Sequence, residues 1–86
     1  MPAVRARVFV TPKRGILDPQ GKAVQQGLHA LGFGEVADVR VGKYLEMRLK
    51  DVSATVAGER VQAMCDRLLA NKVIEDYRVE LDEEAR

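Results

Sequence analysis

One histidine, one cysteine and scattered carboxylates are the groups in this 86-residue chain from which chemistry could be built. His29 is expected on the flank of a helix beside Leu28. The sequence offers it neither a nucleophile nor a second ligand, so a triad or metal role is not assigned. Cys65 falls on an apolar helical stripe with no cation nearby to lower its pKa, which points to a buried, inert thiol rather than a nucleophile. Acid–base catalysis needs two carboxylates in different environments. Here Asp18 is taken up as a helix cap and Asp82, Glu83 and Glu84 read as an acidic, solvated tail spanning 81–86. Gly15 and Gly21 flank a turn, but the Lys-Ser/Thr ending of a phosphate loop is missing. Arg5, Arg7, Lys13 and Arg14 are able to attract a phosphate, although a charged outer strand face and loop explain them more simply. No catalytic residue and no metal ligand emerges.

Composition narrows the function classes further. Fourteen basic against thirteen acidic residues leave a formal net charge of +1, too balanced for nucleic acid or an anionic membrane as the main partner. Two Phe and two Tyr are too few, and badly placed, for an RNA-stacking sheet. No apolar run approaches the roughly 18 residues of a membrane span, and the first residues carry no signal-peptide core. A single cysteine excludes an internal disulfide framework. A cytoplasmic protein of one domain, residues 1–86, is expected. A domain this small buries only about 60–65% of its unfolded surface, so shared burial with a second copy would help it.

The elements that must position these residues follow from periodicity. Val4, Ala6, Val8 and Val10 alternate with Arg5, Arg7, Phe9 and Thr11, the period-two pattern of a half-buried strand. Phe9 among arginines marks an outer face that something else covers. Asp18-Pro19 opens a helix over about 18–32: the Asp carboxylate caps the first turn, and proline lacks the N–H that would be unpaired there. Gly32 suits the left-handed residue after that helix, with Phe33 folding back on Leu28. From Ala37 to Lys50 the apolar residues are all odd-numbered, straight through Gly42-Lys43. Either a three-residue loop or one long strand bent at Gly42 keeps that register; the long strand is favoured and leaves an overhang suited to pairing with another chain. Ser53 caps a second helix carrying Ala57, Val61, Met64, Cys65 and Leu68 on one stripe, weakened at Gly58 and ended by a left-handed Asn71. A last strand near Ile74 to Leu81 points Tyr77, Val79 and Leu81 inward. The expected fold is α+β, in the order β-α-β-α-β, an antiparallel sheet covered on one face by two helices. A ferredoxin-like β-α-β-β-α-β unit is the alternative if a hairpin forms at Gly42.

Three stretches carry a family resemblance. They are Val8-Phe9-Val10-Thr11-Pro12-Lys13-Arg14-Gly15-Ile16-Leu17-Asp18-Pro19-Gln20-Gly21, Val39-Arg40-Val41-Gly42-Lys43-Tyr44-Leu45-Glu46, and Leu68-Leu69-Ala70-Asn71 with its surroundings. Together they resemble the PurS family, the small subunit of phosphoribosylformylglycinamidine (FGAM) synthase. The departures, a Ser53 to Arg60 stretch poor in acids and Lys72 where proline is common, touch helix ends. The resemblance implies an accessory subunit of an ATP-dependent ligase that uses glutamine as amide donor. It implies no catalytic residues of its own and no cofactor on this chain, with ATP and magnesium held by a PurL-type synthetase. The implied partners are that synthetase, a PurQ-type glutaminase and further copies of the chain, as a homodimer or tetramer. On this reading the contact surface comprises Phe9, Lys13, Arg14, Arg40, Gly42, Lys43 and Tyr44, with Asp18, Pro19, Gly21 and Gly32 as structural motif residues. For Asp18 and Pro19 the simpler role, starting a helix, comes first. The rival class is a small metabolite-binding regulatory domain acting as a dimer, which saturable ligand binding by the isolated chain would distinguish.

Overall fold

The computed structural model describes residues 3–83. Strand β1 (Ala3–Pro12) is followed by helix α1 (Pro19–Ala30), strand β2 (Lys43–Lys50) and helix α2 (Ala54–Met64). A five-residue π-helical turn (Cys65–Leu69) then leads to strand β3 (Glu75–Glu83). β1 lies in the middle of the sheet, antiparallel to both neighbours, in the order β2-β1-β3. This is the strand arrangement of a ferredoxin-like sheet short of its outer strand, because residues 36–42 pair with no strand.

Alternation on β1 does what the sequence requires. Val4, Ala6, Val8 and Val10 are buried, and the register sets Met47 and Leu81 on either side of Ala6, and Leu45 and Val79 on either side of Val8. Helix α2 lays Ala57, Val61 and Cys65 onto this inner face. Ser53 starts it, its hydroxyl oxygen accepting from the Val56 amide at 3.2 Å. Gly58 does not interrupt the helix. A Cβ there would lie 3.4 Å from Leu81 Cδ1, an ordinary contact distance, so α2 faces β3 at this position.

The covering of the sheet differs from expectation. α2 supplies the main cover, packing on β3 and β1, and α1 contributes little to it. α1 lies instead along residues 36–41, an extended strap that runs back beside it. Asp18 meets the Val41 amide, Gln25 donates to the Ala37 carbonyl at 3.0 Å, and His29 Nε2 donates to the Val36 carbonyl at 2.7 Å. The helix stripe is too thin to compete: Gly27 contributes no side chain, and Val24 and Leu31 remain exposed. The protein is therefore elongated, 51 × 29 × 14 Å with a radius of gyration of 16.7 Å, against about 12 Å for a compact chain of this length.

Three boundaries also move. The second strand, expected as a long central one, begins at Lys43 and lies at an edge of the sheet, so the long strand expected from Ala37 is a strand only in its second half. β3 continues through Asp82 and Glu83, because Asp82 pairs with Arg7 across the sheet; the acidic tail is thereby shortened, and residues 84–86 lie outside the described residues. The second helix ends through the π-helical turn closed by Ala70 N–H to Cys65 O at 3.1 Å, not by a left-handed Asn71. Asn71 instead forms an Asx turn, its side-chain oxygen accepting from the Val73 amide at 3.1 Å. The first helix, by contrast, ends as expected. Gly32 has φ 100°, its N–H reaches His29 O at 3.1 Å, and Phe33 N–H reaches Leu28 O at 2.9 Å, the paired bonds of a Schellman motif.

Candidate functional site

The contact residues named from the sequence fall on two surfaces rather than one. The first is the outer face of the sheet, which no helix covers. Cross-strand register places Tyr44, Phe9 and Arg78 in one row and Glu46, Arg7 and Glu80 in the next. The Phe9 and Tyr44 rings stand 5.0 Å apart at 39°, and the Arg78 guanidinium sits 4.2 Å from the Phe9 ring centre, within cation–π range. Tyr44 Oη donates to Glu46 at 2.7 Å; that bond holds the phenol proton and raises the Tyr44 pKa above its ordinary value. Arg7 bridges to Asp82 and, at 3.9 Å, to Glu80. An aromatic pair capped by a guanidinium and bordered by ion pairs has the residue types that are enriched in contact surfaces.

The second surface joins the loop after β1 to the strap. Lys13 N–H anchors the loop to Ile74 O at 2.8 Å, and Lys13 Nζ pairs with Asp76 at 2.7 Å. Arg40 donates from Nη1 to the Pro12 carbonyl at 2.8 Å, closing the strap against the loop. Asp18 Oδ1 accepts from Gly21 N–H and Oδ2 from Val41 N–H, both at 2.9 Å. These two amides favour the carboxylate and hold Asp18 below its usual pKa. Gly21 is where helix and strap touch: a Cβ there would stand 2.4 Å from Val39 O. An open cavity of about 520 Å³ lies between loop, helix and strap, with Lys13, Arg14, Lys22 and Arg40 around it.

Gly42 and Lys43 belong to neither group in the way the sequence suggested. Gly42 passes so close to β1 that a Cβ would meet Val10 O at 2.1 Å. Lys43 points to the inner face, its Nζ donating to Leu69 O at 3.0 Å, opposite to its neighbour Tyr44. Sequence reading missed Arg78 and Lys22. Arg78 would have been found from cross-strand register with Phe9, and Lys22 from its position one turn past the Asp18 cap. Cys65 is fully buried, and burial raises its thiol pKa, ahead of a smaller push from Asp66. No group of three or more His, Cys, Asp or Glu side chains is placed to hold a metal among the described residues. No helix among them is long and apolar enough to cross a membrane.

An elongated α+β chain with three antiparallel strands in the order β2-β1-β3 and an uncovered sheet face bearing an aromatic pair is the class that fold and surface define. Comparison with known proteins gives the family. The family model for PurS, described as phosphoribosylformylglycinamidine (FGAM) synthase, matches residues 5–83, and the chain belongs to that family. The Bacillus subtilis FGAM synthase subunit PurS is 47% identical over 79 residues, covering 92% of this chain and 93% of the relative. Thermus thermophilus PurS has the same fold at a TM-score of 0.85 and 43% identity, covering 96% of this chain and 99% of the other. A chain of the PurLQS structure from Thermotoga maritima matches at a TM-score of 0.86 and 27% identity, covering 95% and 100%.

Proposed function

We propose that this chain is the small, non-catalytic subunit of FGAM synthase in de novo purine biosynthesis. In this reading it bridges a PurL-type synthetase and a PurQ-type glutaminase and assists ammonia transfer during the ATP- and glutamine-dependent conversion of formylglycinamide ribonucleotide to FGAM. The observation that carries this reading is the match to PurS over residues 5–83. The backbone likeness to a chain of the T. maritima PurLQS structure supports the bridging role.

Ammonia is largely protonated at neutral pH and escapes to solvent, so two active sites that share it gain from being held together. ATP and magnesium belong to the synthetase subunit, and the complex works in the cytoplasm. The chain also associates with copies of itself, as a homodimer or tetramer. Two features support this: Leu45, Met47 and Leu49 on β2 remain half-buried because α2 does not reach over them, and Leu17, Val24 and Leu31 along α1 are exposed. A second copy would cover both, and the open edge of β2 would let the sheet continue across the dimer. The partner enzymes then contact Phe9 and Tyr44 on the outer sheet face, and Lys13, Arg14 and Arg40 around the strap, with Gly42 and Lys43 shaping the junction between them.

Reconstitution tests the reading. Glutamine-dependent FGAM formation by the synthetase and glutaminase is measured with and without this chain. Activity that appears only on its addition is expected; full coupled activity in its absence overturns the bridging role.

A further inference from the structure

Beyond the partner contacts assigned to Lys13, Arg14 and Arg40, the cavity between the β1–α1 loop, the first turn of α1 and the strap concentrates positive charge. Four cationic side chains, Lys13, Arg14, Lys22 and Arg40, line it, against the two carboxylates Asp18 and Asp38, in a chain whose overall charge is only +1. Asp18 keeps its negative charge, but both of its oxygens are engaged by the Gly21 and Val41 amides, so two positive charges remain in excess around the cavity. Arg40 uses Nη1 for the Pro12 carbonyl, which fixes the guanidinium while leaving its remaining donors available. Lys13 is held by Asp76 in an exposed pair, a weak tie in water. Among the described residues Arg14 and Lys22 form no ion pair. Like charges gathered in one concavity repel one another unless an anion joins them.

We propose that this cavity binds a phosphate group, with Arg14 and Lys22 as its principal ligands and Arg40 as a preoriented third. Guanidinium forks match phosphate oxygens two at a time, and ammonium groups supply the remaining charge of a dianion. A volume of about 520 Å³ lies in the range of small-molecule sites, so the phosphate can arrive with a sugar or nucleoside attached. The site is separate from the ATP of the synthetase reaction. It does not depend on the bridging role, since the free chain displays it.

The test is an amide chemical-shift titration of the full chain at constant ionic strength with inorganic phosphate, ribose 5-phosphate and ADP, and with chloride as control. Saturable shifts confined to residues 13–22 and 38–40 are expected. The tightest of the three probes identifies the source: free phosphate, sugar phosphate or nucleotide. Arg14→Gln with Lys22→Gln, both exposed and outside the core, should weaken that probe at least tenfold while leaving the thermal midpoint unchanged; Glu80→Gln, remote from the cavity, should leave binding intact. Shifts that chloride reproduces, or saturable binding that survives Arg14→Gln with Lys22→Gln, overturn the proposal. It also fails if no probe saturates and the double substitution instead abolishes capture of the synthetase subunit, which makes the cavity a protein contact.

Discussion

Asp18 Oδ2 accepts a hydrogen bond from the Val41 amide at 2.9 Å, joining residues 23 apart in sequence while Oδ1 caps the Gly21 amide of the same helix. One carboxylate thus fixes both the start of α1 and the course of the strap. It also determines where Arg40 stands relative to the cavity.

The pH dependence of that double bond has a definite sign. The folded-state pKa of Asp18 is lowered, first by Gly21 and then by Val41. Its contribution to stability is therefore complete above the unfolded value near 4 and is lost as pH falls through the lowered folded value. Asp18→Asn should lower the thermal midpoint at pH 7 and flatten the acid limb below about pH 4 relative to the parent chain. Parallel acid limbs for the two proteins would show that the carboxylate charge does not matter there.

Close backbone approach makes two glycines differ sharply. Gly42→Ala places a methyl 2.1 Å from Val10 O and must displace the strap from β1, at a cost of about 3 kcal/mol. Gly27→Ala meets nothing within 4 Å and removes backbone freedom inside a helix, so it should stabilise by roughly 0.5–1 kcal/mol. Urea unfolding midpoints that move in opposite directions would bear this out; equal shifts would contradict the approach at Val10.

The inner face tests the packing of α2 on β1. Val8 is fully buried against the cluster that contains Val61 and Cys65. Val8→Ala removes two methyl groups and leaves a void, which should cost about 2–3 kcal/mol by equilibrium denaturation. Thr11→Ala, at an exposed position on the opposite face of the same strand, should change stability by less than about 0.5 kcal/mol.

Recognition by the outer face and strap is testable by assembly. Alanine at Arg40, Lys43 and Tyr44 together should weaken co-purification with the synthetase and glutaminase while preserving the circular dichroism spectrum. Because Lys43 faces the opposite side from Tyr44, Tyr44→Ala should account for more of the loss than Lys43→Ala. Undiminished assembly by the triple variant would move the contact surface elsewhere.

The sequence by itself determined what local chemistry can encode. Asp18-Pro19 starts α1 because a carboxylate and a missing N–H solve the unpaired amides of a first turn within four residues. Gly32-Phe33 ends it because only the residue after the helix needs positive φ. Strict alternation on β1 and β3 assigned inward and outward faces, since successive side chains of a strand must point apart. The tertiary structure decided how distant pieces meet. Strand β2 starts at Lys43 rather than Ala37 because the strap turns the Val36 and Ala37 carbonyls and the Val41 amide to α1 and its cap, which takes these groups out of any ladder. α1 stays off the sheet because those bonds hold it beside the strap and its apolar stripe is thin. Arg78 reaches Phe9, and Asp82 reaches Arg7, only once β1 and β3 adopt one register out of many. No periodicity within a segment records that choice, because it is made by the pairing of strands more than 60 residues apart in sequence.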